Sequence, residues 1–364
     1  MATITRYVDP DATGGADGTT WADAYTSLSA AEAAEQTDLV SAGNIMLFEC
    51  RSSGGTADTT SPTFATWTVD ATNYVIVRAT TDHEALKTGW DSSRYRLEVT
   101  DDQAMDIRIP YIRIEKLQIK KVFVAATFSV TFMITGIASG GSDIRIDSCR
   151  VEGDNASGSF TEGVRISDAD ATVNMFNNII YKTHRYGVNI SAAATVNMYN
   201  NTIYNIGYSS SVGVNVNAGA TLDMKNNAIG LCNDDINDSS SGTIDYNLTD
   251  DGDGTNAQTP SGADWDNELS DVSNGDFSLI TGGNLEDNAT DDPGSGLFND
   301  DLKGQVRNSP WDIGADELDS DTSAKEQIYL RTAISLTSSQ AGNMSLTNTK
   351  RTPITLKTTL AGRF

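Results

Sequence analysis

Cysteine, proline and histidine are all scarce in this 364-residue chain, at three, seven and two. Cys50, Cys149 and Cys232 are far apart, odd in number and without metal-ligand spacing. That excludes a disulfide framework and predicts buried thiols acting as small hydrophobes, so stability must come from packing. With only His83 and His184 present, no nucleophile–base constellation is recognisable. No apolar run approaches the roughly 20 residues that a membrane helix needs. Residues 1–7 have neither a charged n-region nor an apolar h-region, so no signal peptide is expected and the start reads as native. Positive charge is also short: 25 basic against 50 acidic residues leave a net charge of −25, which argues against a nucleic-acid partner, because phosphate repels such a surface.

What the chain does have is a repeat. Thr172-Val173-Asn174-Met175-Phe176-Asn177-Asn178-Ile179-Ile180-Tyr181 returns as Thr195-Val196-Asn197-Met198-Tyr199-Asn200-Asn201-Thr202-Ile203-Tyr204. It returns again as Thr221-Leu222-Asp223-Met224-Lys225-Asn226-Asn227-Ala228-Ile229-Gly230. Each block follows a Gly-Val segment, beginning at Gly163, Gly187 and Gly213. Apolar residues alternate with period 2, as in strands, so Val173, Met175 and their counterparts point inward. The Asn pair breaks the alternation, and because Asn tolerates left-handed backbone angles, it marks a corner. Asn178, Asn201 and Asn227 are expected to stack as an amide ladder, each side chain satisfying the next. Weaker copies lie at residues 74–77, 111–119 and 143–151, and a last coil at 243–248.

Repeats of about two dozen residues predict an all-β chain, a right-handed single-stranded parallel β-helix. An amphipathic helix with Trp21, Tyr25, Leu28 and Ala31 on one face is expected to cap its first coil. The expected division is an N-terminal cap at 1–44, the β-helix with its closing region at 45–318, a linker at 319–324 and a strand-forming tail at 325–364.

A Gly/Asp-rich loop, residues 9–19, runs into Thr20-Trp21-Ala22-Asp23-Ala24-Tyr25, and Gly304-Gln305-Val306-Arg307-Asn308-Ser309-Pro310-Trp311-Asp312-Ile313-Gly314-Ala315-Asp316-Glu317 lies near the other end. Both segments, with Gly275-Asp276-Phe277-Ser278-Leu279 between them, resemble the end motifs of bacterial and viral pectin-lyase-like β-helix proteins. The resemblance spans residues 5–318. It implies the fold and its closures rather than an activity, since that fold hosts lyases, hydrolases, adhesins and inert virion spikes. Lyases of this kind combine a basic residue with carboxylates, often around calcium. The chain departs from secreted members in lacking a signal peptide and in continuing past the closing motif, which is more like a phage structural protein assembled in the host cytoplasm.

That continuation is chemically distinct. Residues 325–364 carry six basic groups, Arg331, Lys350, Arg351, Lys357 and Arg363 among them, and one acidic group, for a net charge of +5; the other 324 residues carry 19 basic against 49 acidic groups, or −30. Short alternating strands at 333–337, 343–347 and 353–360 are too few for an independent core. They are expected to anchor the β-helix to other virion proteins or to symmetry mates, with a homotrimer implied by the viral relatives.

Candidate chemistry is sparse. Lys182, His184, Arg185 and Tyr186, with Arg165 on the neighbouring coil, form the expected glycan-binding patch. Asp250, Asp251 and Asp253 sit in a Gly-rich turn that suits calcium, and Asp9, Asp11 and Asp17 form a looser set, although no cofactor is required. Pairs such as Asp168/Asp170 and Asp234/Asp235 are uninformative in so acidic a chain. The leading expectation is a non-enzymatic virion component, a spike, fibre or capsid decoration that contacts host polysaccharide. The alternatives are a capsule-degrading lyase or glycoside hydrolase, and a bacterial surface adhesin.

Overall fold

The computed structural model describes residues 2–100, 103–122, 128–153, 160–204, 206–207 and 210–318, so the linker and the basic tail lie outside the described residues. Residues 173, 196 and 222 are register partners on successive strands, as are Met175, Met198 and Met224, and as are Ile180, Ile203 and Ile229. All nine side chains are fully buried. Equal residues therefore stack at equal heights along the bore, and the repeat is the core.

Three all-parallel sheets result, of nine, seven and seven strands, and the chain visits them in turn. One coil comprises Thr172–Phe176, Ile179–Tyr181 and Tyr186–Ile190; the next comprises Thr195–Tyr199, Thr202–Tyr204 and Val212–Val216. The first sheet runs from Ala2–Val8 to Ser241–Asp245. The chain is a right-handed parallel β-helix.

The two residues of each Asn pair have separate tasks. Asn177, Asn200 and Asn226 take φ of 57°, 52° and 60°, the left-handed conformation that turns the corner. Asn178, Asn201 and Asn227 are buried, and each Nδ2 donates to the next Oδ1 at 2.9 Å, with Asn247 as a fourth rung. In the third sheet a Cβ on Gly163, Gly187 or Gly213 would meet the next coil's backbone oxygen at 2.5–2.6 Å, so only glycine passes.

The capping helix is shorter than its apolar pattern. It spans Leu28–Glu35, with the Ser27 side chain accepting from the Ala30 amide as its N-cap. Trp21 and Tyr25 precede it, because the Tyr25 amide donates to the Tyr7 carbonyl and its own carbonyl accepts from Asp9, which ties that stretch to the first strand. Leu28 and Ala31 still enter the common core. The first strand, Ala2–Val8, pairs with Asn44–Cys50, so the N-terminal segment also contributes a strand to the first sheet.

After the last coil the chain turns back as a strap, residues 250–318, across the outside of the helix. Trp265, Phe277, Phe298, Trp311 and Ile313 pack there on Phe176, Tyr181, Tyr199 and Tyr204, forming a second apolar core.

Candidate functional site

The strap and the first sheet enclose a cleft of about 370 Å³. Its floor follows from strand alternation. With Ile112, Ile114, Ile144 and Ile146 inside, Arg113, Glu115, Arg145 and Asp147 must face outward. Parallel register sets Arg113 beside Arg145 and Glu115 beside Asp147. Tyr74 and Ile76 close one side, Phe176 another, and strap residues 297–300 form the opposite wall. Phe176 and Phe298 stack at 4.9 Å between centroids, 10° from parallel.

One end of the cleft is cationic. Asp143 accepts from Arg113 Nη2 and Arg145 Nη2, both at 2.8 Å, while Arg113 lies 4.7 Å over the Tyr74 ring. Burial pulls the Asp143 carboxyl upward, but the Arg145 hydrogen bond and the two guanidinium charges outweigh it and hold it below the usual range. Asn174 donates to the same carboxylate, and Asn197 donates to Asn174 in turn, both at 2.8 Å. An amide ladder on the outer face thus ends in the aspartate that fixes both arginines.

The other end is acidic. Asp147 reaches the cleft with part of its surface, yet protein surrounds it on nearly every side. Burial, reinforced by the charges of Asp300 and Glu115 and opposed by the Ser148 hydrogen bond and by Lys116, pushes its carboxyl up to about 7. Burial also raises Glu115 and Asp300. Lys116 lies at the corner with a φ of 63° and pairs with Glu84 at 2.9 Å.

The strap is pinned to the corner asparagines. Asn177 Nδ2 donates to the Asp300 carbonyl at 2.9 Å, Asn200 Nδ2 to the Asp312 carbonyl at 2.8 Å, and Asn226 Nδ2 to the Thr290 carbonyl at 2.8 Å. Arg307, its side chain wholly buried, pairs with Glu317 and donates to Asn177. The closing motif therefore supplies the clamp that positions Asp300.

The sequence-derived patch is only partly assembled. Arg165 pairs with Glu162 at 3.5 Å on the third sheet, and Arg185 lies 4.6 Å over the Tyr186 ring. Lys182 instead lies over the Tyr181 ring at 4.6 Å. His184 is 5% exposed, with its amide bound to Thr161, so its ring is withdrawn from solvent. None of these residues lines the cleft.

The two Asp loops serve the protein's own donors. Asp250 Oδ1 and Oδ2 accept from Trp265 Nε1 and the Leu231 amide. Asp9 and Asp11 accept from Arg51, Ser52, Ser53 and Gly54. Asp17 accepts from Thr19. Among the described residues no three acidic, His or Cys side chains converge as metal ligands. Asp251 and Asp253 are neighbours, and Asp253 is raised to about 6 by burial and by the Asp251 charge.

No family model matches this chain, and no curated protein does. Among solved structures there is a likeness in fold. The crystal structure of pectate lyase Pel9A covers 86% of this chain and 96% of its own, at 13% identity and a TM-score of 0.30. That likeness bears on neither activity nor substrate, and the fold rests on the strand pairing itself.

A pH dependence of stability follows from the acids. Asp147, Asp235 and Asp312 are each raised by burial from 3.8 to about 7. Between roughly pH 4 and 7 the folded chain holds protons that the unfolded chain releases, so stability falls as pH rises through that window. The Tm is expected to be higher at pH 5 than at pH 8, by on the order of 5 °C. A scanning-calorimetry series with an equal or lower Tm at pH 5 would refute this.

Proposed function

We propose that this chain is a glycan-binding β-helix whose cleft between the first sheet and the strap holds a polysaccharide. The observation that carries the reading is the combination in one groove of two pre-oriented guanidinium groups, three carboxyls and a stacked aromatic wall. Planar charged groups suit the paired donors and acceptors of sugar hydroxyls, and rings suit the apolar faces of sugars. The site lies on a regular solenoid face, where strands repeat about every 4.8 Å, so an extended polymer fits it better than a compact ligand.

Affinity electrophoresis of the full chain against soluble polysaccharides tests this. Arg145→Met is expected to weaken retardation roughly 10- to 100-fold through the loss of a charge-assisted donor. Arg185→Ala, on the third-sheet patch, is expected to leave it unchanged. Loss of binding in the Arg185 variant alone would move the site to the sequence-derived patch, and no retardation by any polymer would end the glycan reading.

A second reading concerns where the β-helix is displayed. The charge contrast between the +5 tail and the −30 remainder favours the tail as an anchor to an acidic assembly. Display on a virion, as a spike, fibre or capsid decoration and as a homotrimer, would let weak glycan contacts act through avidity. Deleting residues 325–364 should abolish particle incorporation, and unchanged incorporation would sink the anchoring idea.

A further inference from the structure

Several acids elsewhere on this chain accept from the protein's own donors. Asp58 takes the Leu28 amide at 2.6 Å and the Tyr95 hydroxyl at 2.9 Å, and Asp301 takes the Lys303 and Gln305 amides, both at 2.8 Å. The three cleft acids are different. Among the described residues, Glu115 accepts no hydrogen bond and forms no ion pair, and the Asp300 carboxyl takes no donor from another residue. Among the described residues, Asp147 takes only the Ser148 hydroxyl, on Oδ1 at 2.7 Å. Nothing in folding requires three such groups to meet. The strap nevertheless brings Asp300 to the wall facing the sheet, its carbonyl held by Asn177 and by Arg307 at 3.0 Å.

We propose that the cleft hydrolyses the glycosidic bond of the polysaccharide it holds, with Asp147 as proton donor and Asp300 as the base that activates water. The inference rests on the glycan-binding reading and adds chemistry to it. Glu115 and Asp147 are neighbours on one side of the groove, where strands lie about 4.8 Å apart. Asp300 stands on the other wall, so a sugar bound between them has its leaving oxygen toward Asp147 and its opposite face toward Asp300. The Asp147 proton passes to the glycosidic oxygen as the bond from that oxygen to the anomeric carbon breaks. A water oxygen bonds to the anomeric carbon while Asp300 takes the water's proton. The products are a new reducing end and a free hydroxyl, with one water consumed. Exchange with solvent then returns a proton to Asp147 and removes one from Asp300. Glu115, with Asp300, opposes ionisation of Asp147, whereas Lys116 and the Ser148 hydroxyl favour it, and a carboxyl at about 7 remains substantially protonated near neutrality.

The test incubates the full chain with polygalacturonate, alginate, hyaluronate, arabinoxylan and dextran, following reducing ends and the absorbance of unsaturated sugars. Electrophoretic retardation is measured on the same samples. The expected result is reducing ends without unsaturated products, with the rate falling as pH rises through about 7. Asp147→Asn and Asp300→Asn should each lower the rate roughly 10²- to 10⁴-fold. Retardation without reducing ends overturns hydrolysis and leaves the binding reading standing. Unsaturated ends overturn it in favour of elimination. Full activity in either Asn variant removes that residue from its role, and absence of retardation takes both readings down for these polymers.

Discussion

Replacing Asn201 by alanine should cost about 3–5 kcal/mol of stability, a large fraction of what holds an ordinary fold together. Its Nδ2 donates to the Met175 carbonyl at 2.9 Å, the Tyr199 carbonyl at 3.2 Å and Asn227 Oδ1 at 2.9 Å. Its Oδ1 accepts from the Asn178 amide at 3.1 Å and from Asn178 Nδ2 at 2.9 Å. The residue is fully buried, so each abandoned group loses a partner where water cannot replace it. Asn201→Asp should be no milder, because it turns a donor into an acceptor facing two carbonyl oxygens. Asn197→Ala is the control. That amide belongs to the half-buried outer ladder, and its loss should cost about 1 kcal/mol or less. Urea unfolding midpoints compare the three variants. A loss at Asn201 no larger than at Asn197 would show that stacked side chains, rather than satisfied amides, carry the corner.

Arg307→Met should loosen the strap while leaving the coils folded. The guanidinium pairs with Glu317 at 3.1 Å and donates to the carbonyls of Asp300 and Gly314, both at 3.0 Å, and to Asn177 Oδ1 at 2.9 Å. Removing one member of a buried ion pair leaves the other uncompensated, typically at about 3–5 kcal/mol. Lysine should not rescue it, since a single ammonium cannot span acceptors that a planar fork reaches together. The core of the coils shares none of these groups, so the far-ultraviolet strand signal should persist. Protease cuts should concentrate within residues 250–318, and polysaccharide retardation should fall because Asp300 and Phe298 leave the cleft wall. A wild-type digestion pattern with wild-type retardation would show that the apolar strap core suffices.

The two variants mark where sequence reading succeeds and where it stops. The alternation in residues 172–230, broken by paired asparagines, specifies strands, corner and register together, because a coil that stacks on its own copy must repeat its residues at each height. The second asparagine of each pair was legible as a ladder for the same reason. The first was legible only as a bend. That Asn177, Asn200 and Asn226 also bind the strap could not be read, since their partners lie 64 to 123 residues away. Arg113-x-Glu115 and Arg145-x-Asp147 share one phase, and that was the available signal for the cleft floor. In a chain with 50 acidic residues such a pattern stands out only once parallel register puts the two pairs side by side. The patch at 182–186 shows the converse. Chemically varied residues adjacent in sequence were dispersed, because a bend there points Lys182 at Tyr181 and buries His184.

The sequence by itself determined the solenoid: its all-β class, its inward residues and its corners. Those follow from contacts between like residues in successive turns, which a repeat encodes locally. Tertiary structure decided the cleft. Its floor combines two coils, its wall comes from a strap that returns over the outside, and the rise in its carboxyls comes from that enclosure. Burial and proximity across such separations depend on the path of the whole chain, and no short stretch of sequence records them.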